Sequence, residues 1–308
     1  MGTIDLGPPL PSPHDLLDGL PRRVALTLPE LRFVAAHAGG APLPFEPHDP
    51  APDDGSELAD RLGGNRASLD HAAYAEALAG LHDPAESLTR RGLMVGGPDD
   101  GVVDQGIIGA VGLLATPVVA VDLDVTAGGV QAKSWHRQSG GAVAALSTHD
   151  GVVFELAWFP TWAWAAELAR VAVVPVDLGL HDSAVPGHVD LPHALVDAAL
   201  EAARTHRHDL VPVLVAQHAA HLDLAEAEVT SVLGALASEA RGRLRALVAQ
   251  VDDDEVTTVG VLAWTLVADG WRALRPHETD GRLHVELARV IPDDLGAELA
   301  PVLAEATR

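Results

Sequence analysis

The chain has 308 residues, 48% of them apolar, a formal charge of −24 and no cysteine. That length and apolar content suffice for a sizeable core in one large or two modest domains. The acidic excess argues against binding nucleic acid through its phosphates, which calls for clustered Lys and Arg, and the missing cysteines exclude disulfides, thiolate nucleophiles and Cys-ligated zinc.

In chain order, residues 1–23 read as a loose arm, with prolines at 8, 9, 11, 13 and 21. The arm lacks the basic and apolar regions of a signal peptide, and the longest uncharged run, Gln105–Val121, is too short and too glycine-rich for a membrane span. A cytoplasmic protein with no membrane insertion is the expectation. Val24–Leu26 suits a short strand. Thr27-Leu-Pro-Glu30 is a capping box, predicting a helix that ends near Gly39-Gly40. Residues 41–56 read as loop, and helical spacing runs from about Arg66 to Leu81. Asp83-Pro84 opens a further helix that stops at Gly92, and Asp104–Thr116 forms the next, closed by Pro117. Glycines at 106, 109 and 112 give that helix a smooth side, which predicts close packing against a sheet. It is no phosphate loop, because no strand precedes it and no Lys-Ser/Thr follows.

Residues 118–159 form the organising stretch. Strand-length runs of alternating polarity are separated by turns at Thr126-Ala-Gly-Gly129, Ser139-Gly-Gly141 and His149-Asp-Gly151. This predicts an antiparallel meander with one face buried and one wet. A helix over about 161–172 follows, then a linker over 176–189. The next helix starts at Asp190-Leu-Pro192 and runs to about His206. After Asp223-Leu-Ala-Glu226, Val229, Val232, Leu233, Leu236, Leu244, Leu247 and Val248 fall on one stripe at helical spacing. Strands over about 257–267, 271–274 and 283–289 and a helix over about 293–304 complete the chain.

The closing region repeats the meander. Asp150-Gly-Val-Val-Phe-Glu-Leu-Ala157 is similar to Asp280-Gly-Arg-Leu-His-Val-Glu-Leu-Ala288. Each is followed by a proline, Pro160 or Pro292, and by Ala-Glu-Leu-Ala at 166–169 or 297–300, and each has a tryptophan upstream, Trp135 or Trp264. Two halves built from one unit, 24–175 and 176–308, are expected to pack about a pseudo-twofold axis within one compact domain.

No standard catalytic motif is present. The best metal candidate is His206, His208 and Asp209 with His218, His221 and Asp223, a cluster from which three imidazoles and a carboxylate could hold zinc. A metal-dependent hydrolase on that cluster is the alternative functional reading, against which stands the scatter of 16 histidines along the chain. Asp252–Glu255 reads as a solvated acidic turn rather than a calcium loop. Asp122 and Asp124 share a strand face, and an exposed sheet accounts for them more simply than acid–base work. No cofactor, metal or catalytic residue is assigned.

One sequence of features resembles a known family. Leu88-Thr-Arg-Arg-Gly92-Leu is followed by the helix ending Leu113-Leu-Ala-Thr-Pro117, then by Val119-Ala-Val-Asp-Leu-Asp-Val125, Gln131-Ala-Lys-Ser-Trp135 and Asp150-Gly-Val-Val-Phe-Glu-Leu156. With Val259-Gly-Val-Leu-Ala263 and Asp269-Gly-Trp271-Arg-Ala-Leu-Arg-Pro276, this is similar to the EspG family of actinobacterial type VII (ESX) secretion chaperones. The resemblance implies an α+β fold with a central, mostly antiparallel sheet, two helical bundles and a pseudo-twofold between halves. It implies a non-enzymatic cytoplasmic chaperone that covers the apolar tip of a secreted helical hairpin, a PE–PPE or WXG100-like heterodimer; a homodimer is a further option. Carried over onto this chain, its contact regions fall at Thr126, Gly128 and Gly129 and at Leu222, Leu224, Val229, Val232, Leu233 and Leu236. The loop at 126–129 is short where better-known members carry a long one, so recognition there is expected to differ.

Overall fold

The computed structural model describes residues 21–45, 74, 76–97, 101–205, 207–219, 222, 224–252 and 255–307. Most of the arm, and most of the helix expected over 66–81, lie outside them.

The chain runs β1 (Arg22–Thr27), α1 (Leu28–His37), α2 (Pro84–Arg90), β2 (Met94–Val95), β3 (Val102–Val103), α3 (Gln105–Ala115), β4 (Val119–Ala127), β5 (Val130–Ser139), β6 (Ala142–Thr148), β7 (Val153–Pro160) and α4 (Trp164–Val171). It continues with β8 (His188–Pro192), α5 (His193–Arg204), α6 (Val211–His218), α7 (Glu226–Glu239), β9 (Gly242–Asp252), β10 (Glu255–Val267), β11 (Gly270–Thr279), β12 (Arg282–Val290) and α8 (Asp294–Ala306). Apart from the small β2–β3 ribbon, the second list repeats the first: strand, three helices, four strands, helix. The large sheet has the order β1-β7-β6-β5-β4-β9-β10-β11-β12-β8, which reads as the same pairing from either end. The duplication glimpsed at the two Asp-Gly turns is therefore a duplication of connectivity.

Two compact units emerge, Met1–Val118 with Trp135–Trp164, and Val119–Ser134 with Ala165–Arg308. Helices α1 to α3 and the strands β1, β6 and β7 enclose the core of the first, around Leu26, Leu31, Leu88, Val111, Leu146, Phe154 and Leu156. Helices α5 to α7 and β8, β10 and β12 enclose that of the second, around Leu191, Leu195, Val215, Leu233 and Leu287.

Local chemistry explains the helix starts. Thr27 and Glu30 close the capping box on α1 as expected. Asp83 accepts from Glu86 N at the head of α2, and Asp104 accepts from Gly106 N and Ile107 N at the head of α3. Glu30 does more than cap. It is buried and meets the Arg91 guanidinium at 2.9 Å, and Arg91 Nη2 donates to Ala25 O on β1 at 2.5 Å. Burial pushes the Glu30 carboxyl up, but bonds from Thr27, Ser87 and Arg91 outweigh it and hold the group below the ordinary carboxylate range.

Three expectations are corrected. Residues 188–192 are a strand, β8, paired with β12 through Val189↔Leu287 and Leu191↔Val285; the helix begins only at His193. The long stripe does not continue past Glu239. Ala240 leaves helical geometry at ψ 109°, and Gly242–Asp252 is β9, hydrogen-bonded to β4 and β10 on its two sides. Leu244, Ala246 and Val248 are buried while Arg243, Arg245 and Leu247 are exposed, an alternation of period two. Among the described residues, the smooth side of α3 packs closely at Gly106, where an added Cβ would meet Trp158 at 3.0 Å, while at Gly109 and Gly112 none of them lies within 4 Å.

Candidate functional site

The second unit carries a sheet face that α5 to α7 cover only in part. Directly opposed residues in antiparallel strands share a face, so register places three rows side by side across β4, β9 and β10. They are Asp122–Leu247–Val261, Asp124–Arg245–Ala263 and Thr126–Arg243–Thr265. Leu247 is 39% exposed and Val261 54%, large values for apolar residues in interior strands. Arg243 and Arg245 are exposed too, a basic pair in a strongly acidic chain. Helix α7 packs against β10 and borders this face.

The hairpin tip lies at one end of these rows. Gly128 and Gly129 form a two-residue turn with φ of 57° and 86°, a left-handed pair that glycine adopts without strain. The connection is thus as short as the sequence suggests. Thr126 Oγ1 accepts from Arg243 N, and Gly128 N donates to Arg241 O. Leu178 packs so closely on Gly128 that an added Cβ would meet its Cδ1 at 2.6 Å. Arg241 holds this 176–179 segment in place, donating to Leu178 O, Gly179 O and Ala268 O. The surface beside it is apolar, with Val130 at 54%, Val176 at 98% and Leu180 at 54% exposure.

The remaining carried-over positions divide. Leu222 and Leu224 are half-buried against the helical core. Val229, Val232, Leu233 and Leu236 are at most 4% exposed and belong to that core outright; α7 turns Ala227, Glu228, Ser231, Gly234 and Ser238 outward instead. Arg243, Arg245, Leu247 and Val261 were missed because β9 reads as helix; the alternating Arg-Leu-Arg-Ala-Leu pattern at 243–247 was the signal that could have found them.

Of the metal candidate, His206, His221 and Asp223 lie outside the described residues. His218 Nδ1 faces Leu214 O at 2.9 Å along its own helix, and Asp209 is paired with Arg207. Among the described residues, no group of three or more His, Asp or Glu side chains is placed to hold a metal ion. Nor is any described helix long and apolar enough to cross a membrane.

No family model matches the sequence, and no curated protein matches it. Among solved structures, the chain is similar to the Mycobacterium tuberculosis type VII secretion system chaperone EspG5, solved in complex with the PE25-PPE41 dimer. Identity is 10% and the TM-score 0.59, over 92% of this chain and 96% of that one. At that identity the likeness establishes the shared α+β fold.

Proposed function

We propose that this protein is a non-enzymatic cytoplasmic chaperone of type VII secretion, a member of the EspG family that binds a secreted helical-hairpin heterodimer and keeps it soluble for export. The observation that carries the reading is fold likeness over nearly the whole of both chains to a chaperone solved in complex with the PE25-PPE41 dimer. The open face of β4, β9 and β10 supplies a surface suited to the task. Leu247, Val261 and Ala263 offer apolar contact, Arg243 and Arg245 offer donors to acidic or carbonyl groups at a helical tip, and Thr126, Gly128 and Gly129 form its edge. Leu222 and Leu224 contribute from the helical side. The buried Val229, Val232, Leu233 and Leu236 act from beneath, by fixing the attitude of α7.

Affinity capture from the native host tests this. The intact chain is expected to retrieve a PE–PPE-like or WXG100-like pair. Arg243→Glu with Arg245→Glu is expected to weaken that capture by about tenfold or more while circular dichroism stays unchanged. Recovery of the protein alone would overturn the reading.

A further inference from the structure

The open stretch of β9 presents three side chains in a line, Arg243, Arg245 and Leu247, all of them exposed. It closes at Ala249, which faces the same way and is 1% exposed. At about 3.4 Å per strand residue, the line is about 14 Å long with a step of about 7 Å. An α-helix, rising about 1.5 Å per residue, covers that length in about nine residues, and its i, i+4 step is about 6 Å. The three side chains are thus spaced to meet one flank of a helix lying along the strand. Their neighbours on β10 grade in the same order. Thr265 and Ala263, both small, stand opposite Arg243 and Arg245, and the exposed Val261 stands opposite Leu247.

Charge selects among such helices. The chain carries 44 acidic residues against 20 Lys and Arg, yet the Arg243 and Arg245 guanidinium groups have no hydrogen-bond or ion-pair partner among the described residues. Asp124, directly across from Arg245, is turned to Gln131 instead and accepts from its Nε2 at 2.9 Å. Charge-assisted donors therefore stand ready along β9 for acceptors from outside. We infer that this line reads an acidic helix. Carboxylates four residues apart sit over Arg243 and Arg245, and a large apolar side chain one turn further on sits over Leu247 and Val261. The assignment rests on the chaperone reading and names what the bound cargo must carry on its flank.

The test uses the full-length protein and two synthetic helical peptides of identical composition in an alanine- and glutamine-based background. One reads Leu-x-x-x-Glu-x-x-x-Glu-x-x-x-Leu, which presents the pattern in either direction along the strand. In the other, Leu-x-x-x-Glu-x-Glu-x-x-x-x-x-Leu, the second Glu is turned to the far side of the helix. Fluorescence anisotropy at low salt is expected to show the first binding at least about fivefold tighter, a preference that fades in about 0.5 M salt. Arg243→Gln with Arg245→Gln is expected to erase the preference while circular dichroism stays unchanged. Equal affinity for the two peptides, binding of neither, or a preference that survives the glutamine substitutions would overturn the inference. Any of these alongside capture of a helical-hairpin pair from the native host would sink the acidic helix and leave the chaperone reading intact. Recovery of the protein alone from the host would sink the chaperone reading whatever the peptides show.

Discussion

The two halves solve one packing problem with opposite chemistry. In the C-terminal half, Trp264 of β10 is 1% exposed and donates its indole N–H to Glu298 of α8 at 3.1 Å. In the N-terminal half the position three residues before the strand's end, counted as Trp264 is from Val267, belongs to His136. There the helix supplies the indole: Trp164 Nε1 donates to His136 Nδ1 at 3.1 Å. Strand donor and helix acceptor have changed places, while the buried strand–helix hydrogen bond is kept. What the repeated scaffold demands is a satisfied polar pair in a dry contact, not a particular residue. The exchange leaves only the N-terminal version with a histidine in the contact. Burial, with a smaller contribution from Arg137, pushes the His136 imidazole down to about 3.

The sharpest way to break this pairing is Trp264→Ala, which leaves a large void; urea unfolding should show a loss of about 3–5 kcal/mol. The acid response comes next. His136 has a depressed folded-state pKa, so below about pH 6.5 the unfolded chain takes up a proton that the folded chain refuses. Stability should therefore fall from pH 6.5 toward 4, by a few kcal/mol. His136→Phe should flatten that part of the profile, and an unchanged slope would show that the imidazole is not buried neutral. A smaller effect separates the helical glycines of the halves. Gly296 of α8 faces Ala165, where an added Cβ would meet a Cβ at 2.5 Å; Gly296→Ala should cost about 1–3 kcal/mol. At Gly109 an added Cβ meets none of the described residues within 4 Å, so Gly109→Ala should stabilise the fold by about 0.5–1 kcal/mol and raise the thermal midpoint.

The same exchange limited what the sequence could show. Matching Trp135 with Trp264 finds the duplication but is one residue out of step, and in a strand one residue reverses the face. Trp135 packs toward α1 to α3, alongside Phe45, whereas Trp264 lies beside Trp271 and Glu298. The capping box of α1, the Asp caps of α2 and α3 and the Gly turns were legible because their chemistry is local. Strand β8 was not: five residues carrying an Asp and a Pro resemble a helix start, and only pairing with β12 makes them a strand. Strand β9 was hidden by its Leu, Ala and Arg content, which favours helix, until ladders on both sides override propensity. With β9 hidden, the two exposed arginines on it could not be placed on a surface, so the candidate site was sought on the buried stripe of α7.

Arg91 has a consequence for solubility. Strand β1 is the outermost member of its sheet, and such a border ordinarily offers unpaired carbonyls as a template for foreign strands. One guanidinium, anchored by a buried carboxylate, occupies the Ala25 carbonyl and sets a cation on that border. A protein proposed to shield sticky cargo thereby carries its own guard against polymerising edge to edge.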